Sequence, residues 1–223
     1  MNNDNLKYFF KEDKCMVLAY DQGFNHGVLD FDSDSADLDY IFEIALKGGF
    51  TGIVLEKGCA EYFNTTKYSY TIPLIVKLDG KLKGEVNRSN LVCSVEYAKK
   101  LGAKGVGYTI YLGTEYTKEM IETFSNIQEK ARNLKMCVCL WLYPGDKDID
   151  FLDGVRLGLE LGADVVKMKK PKDLNLISKI SDYSNGVKIV LAGGEKMKED
   201  EFLDEVAVCV KKGIDGYFVG RNV

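Results

Sequence analysis

Two lysines two positions apart, at the end of Ala163-Asp164-Val165-Val166-Lys167-Met168-Lys169, carry the most reactive chemistry in this chain. The small and branched apolar residues leading into them read as a short buried strand, and the period of two puts both amines on one face. An ammonium held in an apolar interior is costly, so burial lowers the pKa of a lysine and frees a neutral amine that attacks a carbonyl carbon. A second ammonium alongside pushes the same way. The chemistry that follows is an imine on a ketone or aldehyde. Taken alone, the stretch fits better with both lysines emerging into water at a strand end; the rest of the chain changes that balance.

A second group with chemical content lies in Met136-Cys137-Val138-Cys139-Leu140-Trp141-Leu142-Tyr143. As a strand it places Cys139, Trp141 and Tyr143 on one face, an aromatic wall with a phenol pointing the same way. A plain core role for Trp141 weighs about evenly against a role in a site. Glycine turns form a third group: Gly193-Gly194-Glu195-Lys196 and Gly220-Arg221-Asn222. Side-chain-poor loops bring backbone N–H groups to a point and suit a phosphate, Arg221 can add a bidentate contact, and a following helix adds its positive end. Either loop alone is only a turn; the pair is far more specific if both follow neighbouring strands.

The elements that must position these residues alternate without interruption. Apolar runs read as strands at 15–20, 52–55, 72–78, 105–111, 136–143, 163–169, 187–192 and 216–220, with amphipathic stretches between them at 36–47, near 60, 90–101, 117–134, 151–161, 174–181 and 199–211. Thr117 reads as the hydroxyl cap of its helix. Three helix-to-strand junctions share a wording, Leu101-Gly102-Ala103-Lys104, Leu161-Gly162-Ala163-Asp164 and Gly213-Ile214-Asp215-Gly216. Alternation of this kind implies parallel strands with right-handed crossovers. An α/β (β/α)8 barrel, residues 1–223 forming one domain, fits the count best, and a doubly wound open sheet comes second. The sequence holds no eighth outer helix, so part of the wall is expected to be covered by the segment 6–10 or by a partner copy, and a homo-oligomer is the expected assembly. In such barrels chemistry sits at the C-terminal strand ends, where Asp21, Glu56, Lys57, Lys77, Asp79, Tyr111, Tyr143, Lys167, Lys169 and both glycine loops fall.

Composition excludes several functions. With 46% hydrophobic and 29% charged residues and a net charge of −4, nothing draws the chain to nucleic acid or to an anionic membrane. Six scattered cysteines without a CxxC pair, and one histidine, lack the pattern of a zinc site and read as reduced core residues of a cytoplasmic protein. The polar start Met1-Asn2-Asn3-Asp4-Asn5 is no signal peptide, and no run is long enough to span a bilayer. Gly105-Val106-Gly107 lies inside a strand and is not a dinucleotide fingerprint. No cofactor and no metal is required.

The chain resembles the archaeal-type class I fructose-bisphosphate aldolases and their bacterial relatives. The resemblance runs through most of its length, on Asp21-Gln22-Gly23 with His26-Gly27, Gly107-Tyr108-Thr109-Ile110-Tyr111-Leu112-Gly113-Thr114-Glu115, Trp141-Leu142-Tyr143-Pro144, the lysine strand, Ala192-Gly193-Gly194-Glu195-Lys196 and Gly220-Arg221-Asn222-Val223. It implies a metal-free (β/α)8 lyase in which Lys167 forms the Schiff base, Tyr143 moves the proton of the C4 hydroxyl and Asp21 orients the carbinolamine and imine steps. Gly193, Gly194, Lys196, Gly220 and Arg221 would hold the C1 phosphate of a phosphorylated sugar, with His26, Trp141 and Lys169 as further substrate contacts. Two departures stand out. The loop Tyr143-Pro144-Gly145-Asp146-Lys147 lacks the arginine many relatives carry, leaving the distal phosphate to Lys147 or another cation, and Glu195 stands where many have proline. The alternatives are a related lysine-imine synthase of transaldolase or phospho-dione thiolase type, and a non-catalytic phosphosugar-binding barrel.

Overall fold

The computed structural model describes residues 4–145 and 147–223; the first three residues of the polar start and Asp146 of the loop after Tyr143 lie outside them. Eight parallel strands close into a barrel, each bonded to the next around the ring. They are β1 (Cys15–Tyr20), β2 (Gly52–Leu55), β3 (Leu74–Lys77), β4 (Gly105–Tyr111), β5 (Cys137–Tyr143), β6 (Val165–Met168), β7 (Lys188–Ala192) and β8 (Gly216–Val219). The ring closes where Cys15 through Leu18 of β1 pair with Gly216 through Val219 of β8. Outside it lie α1 (Leu38–Lys47), α2 (Lys57–Asn64), α3 (Val95–Lys100), α4 (Thr117–Asn133), α5 (Asp148–Glu160), α6 (Leu176–Ser184) and α7 (Glu199–Lys211). This is the (β/α)8 barrel, not the open sheet. Among the described residues no helix is long and apolar enough to cross a membrane.

Strand alternation divides the core in two. Val17, Val54, Ile75, Cys139, Trp141, Val165, Val190 and Phe218 fill the barrel interior, while their neighbours Leu18, Ile53, Val76, Leu140, Val166, Ile189 and Val219 pack outward against the helices. This period of two decides where each reactive residue points. Lys77 follows Ile75 by two, Lys167 follows Val165 by two, and Glu56 follows Val54 by two, so all three side chains start on the inner face.

The recurring junction wording has a structural cause. Gly102, Gly162 and Gly213 have positive φ, which lets the chain leave a helix and turn into the next strand. The aspartates that follow then tie neighbouring strands together: Asp164 accepts from the Val138 amide at 2.9 Å and Asp215 from the Ile189 amide at 2.8 Å. Arg132 of α4 closes the first of these with a 2.8 Å contact to Asp164.

Three expectations are corrected. Residues 6–10 do not cover the outer wall; Phe9, 1% exposed, joins the interior cluster with Leu6 and Phe10 against it and so floors the barrel. An added methyl at Gly52 or Gly105 would meet its ring at 2.8 and 3.1 Å, so these strand glycines make room for it. The stretch 90–101 is not one helix. Asn90–Leu91 pairs antiparallel with Asp79–Gly80, and α3 starts after Ser94, whose hydroxyl accepts from the Tyr97 amide at 3.1 Å. Thr117 is no cap either, since its hydroxyl donates to the Tyr111 carbonyl at 2.9 Å, which fastens the end of β4. All six cysteines are free thiols, and only Cys59 is not buried.

Gly107 is the position where the interior is tightest. A Cβ there would fall 1.6 Å from the Trp141 ring, so the absence of a side chain on β4 is what allows the indole to lie across the barrel. Gly107→Ala is expected to cost about 3 kcal/mol through overpacking, read as a lower midpoint in urea unfolding.

Candidate active site

Lys167 occupies the centre of the upper barrel. It is 7% exposed, stands in register with Trp141 on one side and Val190 on the other, and its Nζ lies 5.0 Å from the Trp141 ring centre and 5.6 Å from that of Phe218. Burial pushes its pKa below the ordinary lysine value, opposed by the Asp21 carboxylate and reinforced by the Lys77 ammonium. The amine is therefore inside the ring of strands and biased toward its nucleophilic form.

Around it is a cavity of about 240 Å³ lined by Ala19, Asp21, Gln22, Asn25, His26, Tyr143, Lys167, Lys169, Ala192, Gly193, Gly194, Phe218, Gly220 and Arg221. Asp21 ends β1 just before the short helix Gln22–His26. Its burial disfavours charge, yet Lys167 and Lys77 outweigh that and hold its carboxyl below the usual range. Tyr143 ends β5 at the mouth, 38% exposed, stacked on Tyr111 with ring centres 5.0 Å apart. Burial of its environment and the nearby Asp21 carboxylate raise its phenol, so the proton stays on oxygen. Trp141 is 1% exposed and forms a wall under the amine, not a lining group of the cavity. Lys169 lies beyond the end of β6 and lines the cavity, its Nζ 5.9 Å from the Phe151 ring.

The two glycine loops meet here. Gly193 and Gly220 line the cavity together with Gly194, whose φ of +75° suits glycine. At Gly220 a Cβ would fall 2.6 Å from the Ala19 carbonyl, so the close approach of the loop after β8 to the end of β1 requires glycine. Asn222 binds the loops to each other: its amide donates to the carbonyls of Gly193 at 2.8 Å and Glu195 at 2.9 Å, while its oxygen accepts from the Met197 amide at 2.8 Å. The Gly193 N–H is already spent on the Phe218 carbonyl at 3.0 Å, which leaves it unable to serve an anion as the sequence reading supposed. The helix that follows the loop, α7, begins at Glu199 and carries Glu199, Asp200 and Glu201 in its first turn.

The cations are divided. Arg221 lines the cavity, and its Nη1 lies 3.8 Å from Asp30, which also binds His26 Nδ1 at 2.6 Å. Lys196 lines an adjoining cavity with Tyr20, Asp32 and Tyr40, and that cavity shares Ala19, Gln22, Gly220 and Arg221 with the Lys167 cavity. Lys147 is exposed at the start of α5 and is not among the residues lining the Lys167 cavity.

Sequence reasoning placed Glu56, Lys77 and Asp79 at strand ends without assigning them a part, and they prove to be the buried underside of the site. Lys77, 1% exposed, sits 3.6 Å from both Asp21 and Glu56. Asp79, 2% exposed, accepts from the Thr109 amide at 2.9 Å. Asp30 had no signal beyond its place four residues after His26.

Residues 15–223 match the sequence family described as DeoC/LacD family aldolase. The chain is 38% identical to the class 1 fructose-bisphosphate aldolase of Thermoproteus tenax, across 98% of this chain and 86% of that one. It is 27% identical to 2-amino-3,7-dideoxy-D-threo-hept-6-ulosonate synthase 1 of Archaeoglobus fulgidus, across 98% and 82%. Its backbone is similar, with a TM-score of 0.91 and 34% identity over 99% of this chain and 92% of the other, to an archaeal fructose-1,6-bisphosphate aldolase whose catalytic lysine is covalently bound to the carbinolamine of the substrate.

Asp21 is the carboxylate that favours the charged amine, so Asp21→Asn should lower the pKa of Lys167 further. The pH dependence of competitive acetylation by acetic anhydride, read at the Lys167 peptide by mass spectrometry, measures this; an unchanged or higher value contradicts the assigned electrostatics.

Proposed function

The chain belongs to the family of DeoC/LacD aldolases, and on that footing we propose that it is a class I, Schiff-base fructose-1,6-bisphosphate aldolase, interconverting the bisphosphate with dihydroxyacetone phosphate and glyceraldehyde 3-phosphate. The observation that carries this reading is the Lys167 amine against the paired rings of Trp141 and Phe218 inside the barrel, with Asp21 and Tyr143 lining the same cavity.

The steps follow from what each group can do. Lys167 Nζ adds to the C2 carbonyl to give a carbinolamine. Loss of the C2 oxygen as water then leaves an iminium, with the ionised Asp21 beside it to stabilise the cation. The iminium accepts the electron pair of the C3–C4 bond and becomes an enamine, so no free carbanion forms. The Tyr143 phenol gives its proton to the C2 hydroxyl as it leaves as water, and the phenolate then accepts the C4 hydroxyl proton as glyceraldehyde 3-phosphate departs. Protonation of the enamine at C3 and hydrolysis of the iminium release dihydroxyacetone phosphate and restore the lysine. In the direction of synthesis the raised phenol of Tyr143 donates its proton to the aldehyde oxygen while C3–C4 forms, which matches its protonated state in the free protein. The C1 phosphate lies against Gly194, Gly220 and Arg221, with the loops held together by Asn222. Lys196 lines the adjoining cavity, which shares Gly220 and Arg221 with this one, and adds a cation on the phosphate side of the site.

A second reading keeps the lysine imine and changes the acceptor. The exposed Lys147, outside the cavity lining, leaves the distal phosphate without an assigned cation, which favours a synthase acting on a different second substrate. The non-catalytic barrel has no comparable support.

Borohydride reduction in the presence of dihydroxyacetone phosphate should attach the three-carbon phosphate to Lys167, and Lys167→Ala should abolish attachment. No adduct on Lys167 refutes the aldolase. Adduct formation without cleavage of fructose 1,6-bisphosphate in a coupled assay selects the synthase. Tyr143→Phe should retain adduct formation and slow turnover by about 10²-fold or more, and turnover should persist in EDTA.

A further inference from the structure

The phenol that moves protons stands at a weakly supported point of its strand. Tyr143 is the last residue of β5 and 38% exposed. On one side β6 ends short of it, since the last residues paired there are Leu142 and Met168. On the other side it keeps a partner. Tyr111, the last residue of β4, is in register with it, and the Leu112 amide donates to the Tyr143 carbonyl at 3.0 Å. Beyond Tyr143 the chain leaves the sheet through Pro144 and Gly145. A tyrosine side chain in such a place has room to swing away from the cavity unless something holds its ring.

Tyr111 is anchored where Tyr143 is not. It is 8% exposed, and its carbonyl accepts the Thr117 hydroxyl at 2.9 Å, which ties the end of β4 to the first turn of α4. The same Thr117 oxygen accepts from the Thr114 amide at 3.1 Å, so the turn between the two elements is closed on itself. The Tyr111 ring centre lies 5.0 Å from that of Tyr143 with 22° between the planes, a stacked pair. Both phenols face the same charges, Asp21, Lys77 and Asp79, so the pair stands over the reacting groups. The steps above give Tyr111 no part.

We propose that Tyr111 is a positioning residue for Tyr143: its anchored ring is the platform that holds the Tyr143 phenol over the cavity. This rests on the aldolase reading of the site. The phenol oxygen must come within hydrogen-bond distance of the C2 hydroxyl in one step and of the C4 hydroxyl in another, and a displacement on the order of 1 Å is enough to cost turnover. Tyr111 acts through Tyr143 alone. Because the contact is ring on ring, the Tyr111 hydroxyl is not required.

Tyr111→Leu removes the platform and Tyr111→Phe keeps it. Tyr111→Leu should lower kcat for cleavage of fructose 1,6-bisphosphate about tenfold or more with KM little changed, while borohydride still attaches dihydroxyacetone phosphate to Lys167. Tyr111→Phe should turn over like the unaltered protein. In the Tyr143→Phe background Tyr111→Leu should cause no further loss, because nothing is left for it to position. Equal loss in both backgrounds, a loss in Tyr111→Phe matching that in Tyr111→Leu, or full turnover in Tyr111→Leu overturns the proposal. Labelling of phenols by N-acetylimidazole needs no sugar, so a failure there is distinct from failure of the borohydride test. Tyr111→Leu should speed acetylation at the Tyr143 peptide several-fold, and an unchanged rate also overturns the proposal. Tyr111→Met repeats the set if Tyr111→Leu does not fold by circular dichroism. Failure of both to fold overturns it too, because the ring would then serve the core and nothing more.

Discussion

The whole site depends on keeping one amine out of water. A lysine in solution is protonated at neutral pH and cannot attack a ketone. Closing eight strands into a ring creates an interior in which that proton is disfavoured, and the paired Trp141 and Phe218 rings beside Lys167 deny it the solvation that would restore the charge. Other features of the barrel serve that enclosure. Phe9 floors the barrel, and Gly107 opens the space into which the indole extends. The junction aspartates 164 and 215 hold strand starts in register, so the ends above them land where the cavity needs them.

Enclosure alone would make the site inert, and the polar groups are arranged so that few are both buried and charged. Asp21 is ionised because amines flank it, Glu56 is not because burial dominates, and Tyr143 keeps its proton at the cavity mouth. Acid and base roles are thus separated by environment, not by residue type. On the opposite side, Asn222 joins the loops after β7 and β8 into a single wall, and Asp30 holds Arg221 and His26 near it.

Much of this was legible in the sequence, for identifiable reasons. Strands flanked by glycine and filled with branched residues are short and strongly patterned, so all eight stood out, and the lysine at the end of β6 followed from the period of two. What escaped detection depends on contacts between distant segments. Whether the Gly193 N–H is free turns on the Phe218 carbonyl across the sheet. Residues 90–101 carry helical spacing, yet the first two pair with Asp79–Gly80 because that strand end leaves an edge to be met. Lys77 and Glu56 looked like ordinary strand-end charges; the parallel register of β2 and β3, with Leu55 against Val76, brings them to within 3.6 Å of each other.

The most direct measurement is the structure of the protein after borohydride reduction with dihydroxyacetone phosphate. A secondary amine joining C2 to Lys167 Nζ, with the phosphate resting between Gly194 and Gly220, is the predicted result. Reduced ligand on a different lysine would contradict it.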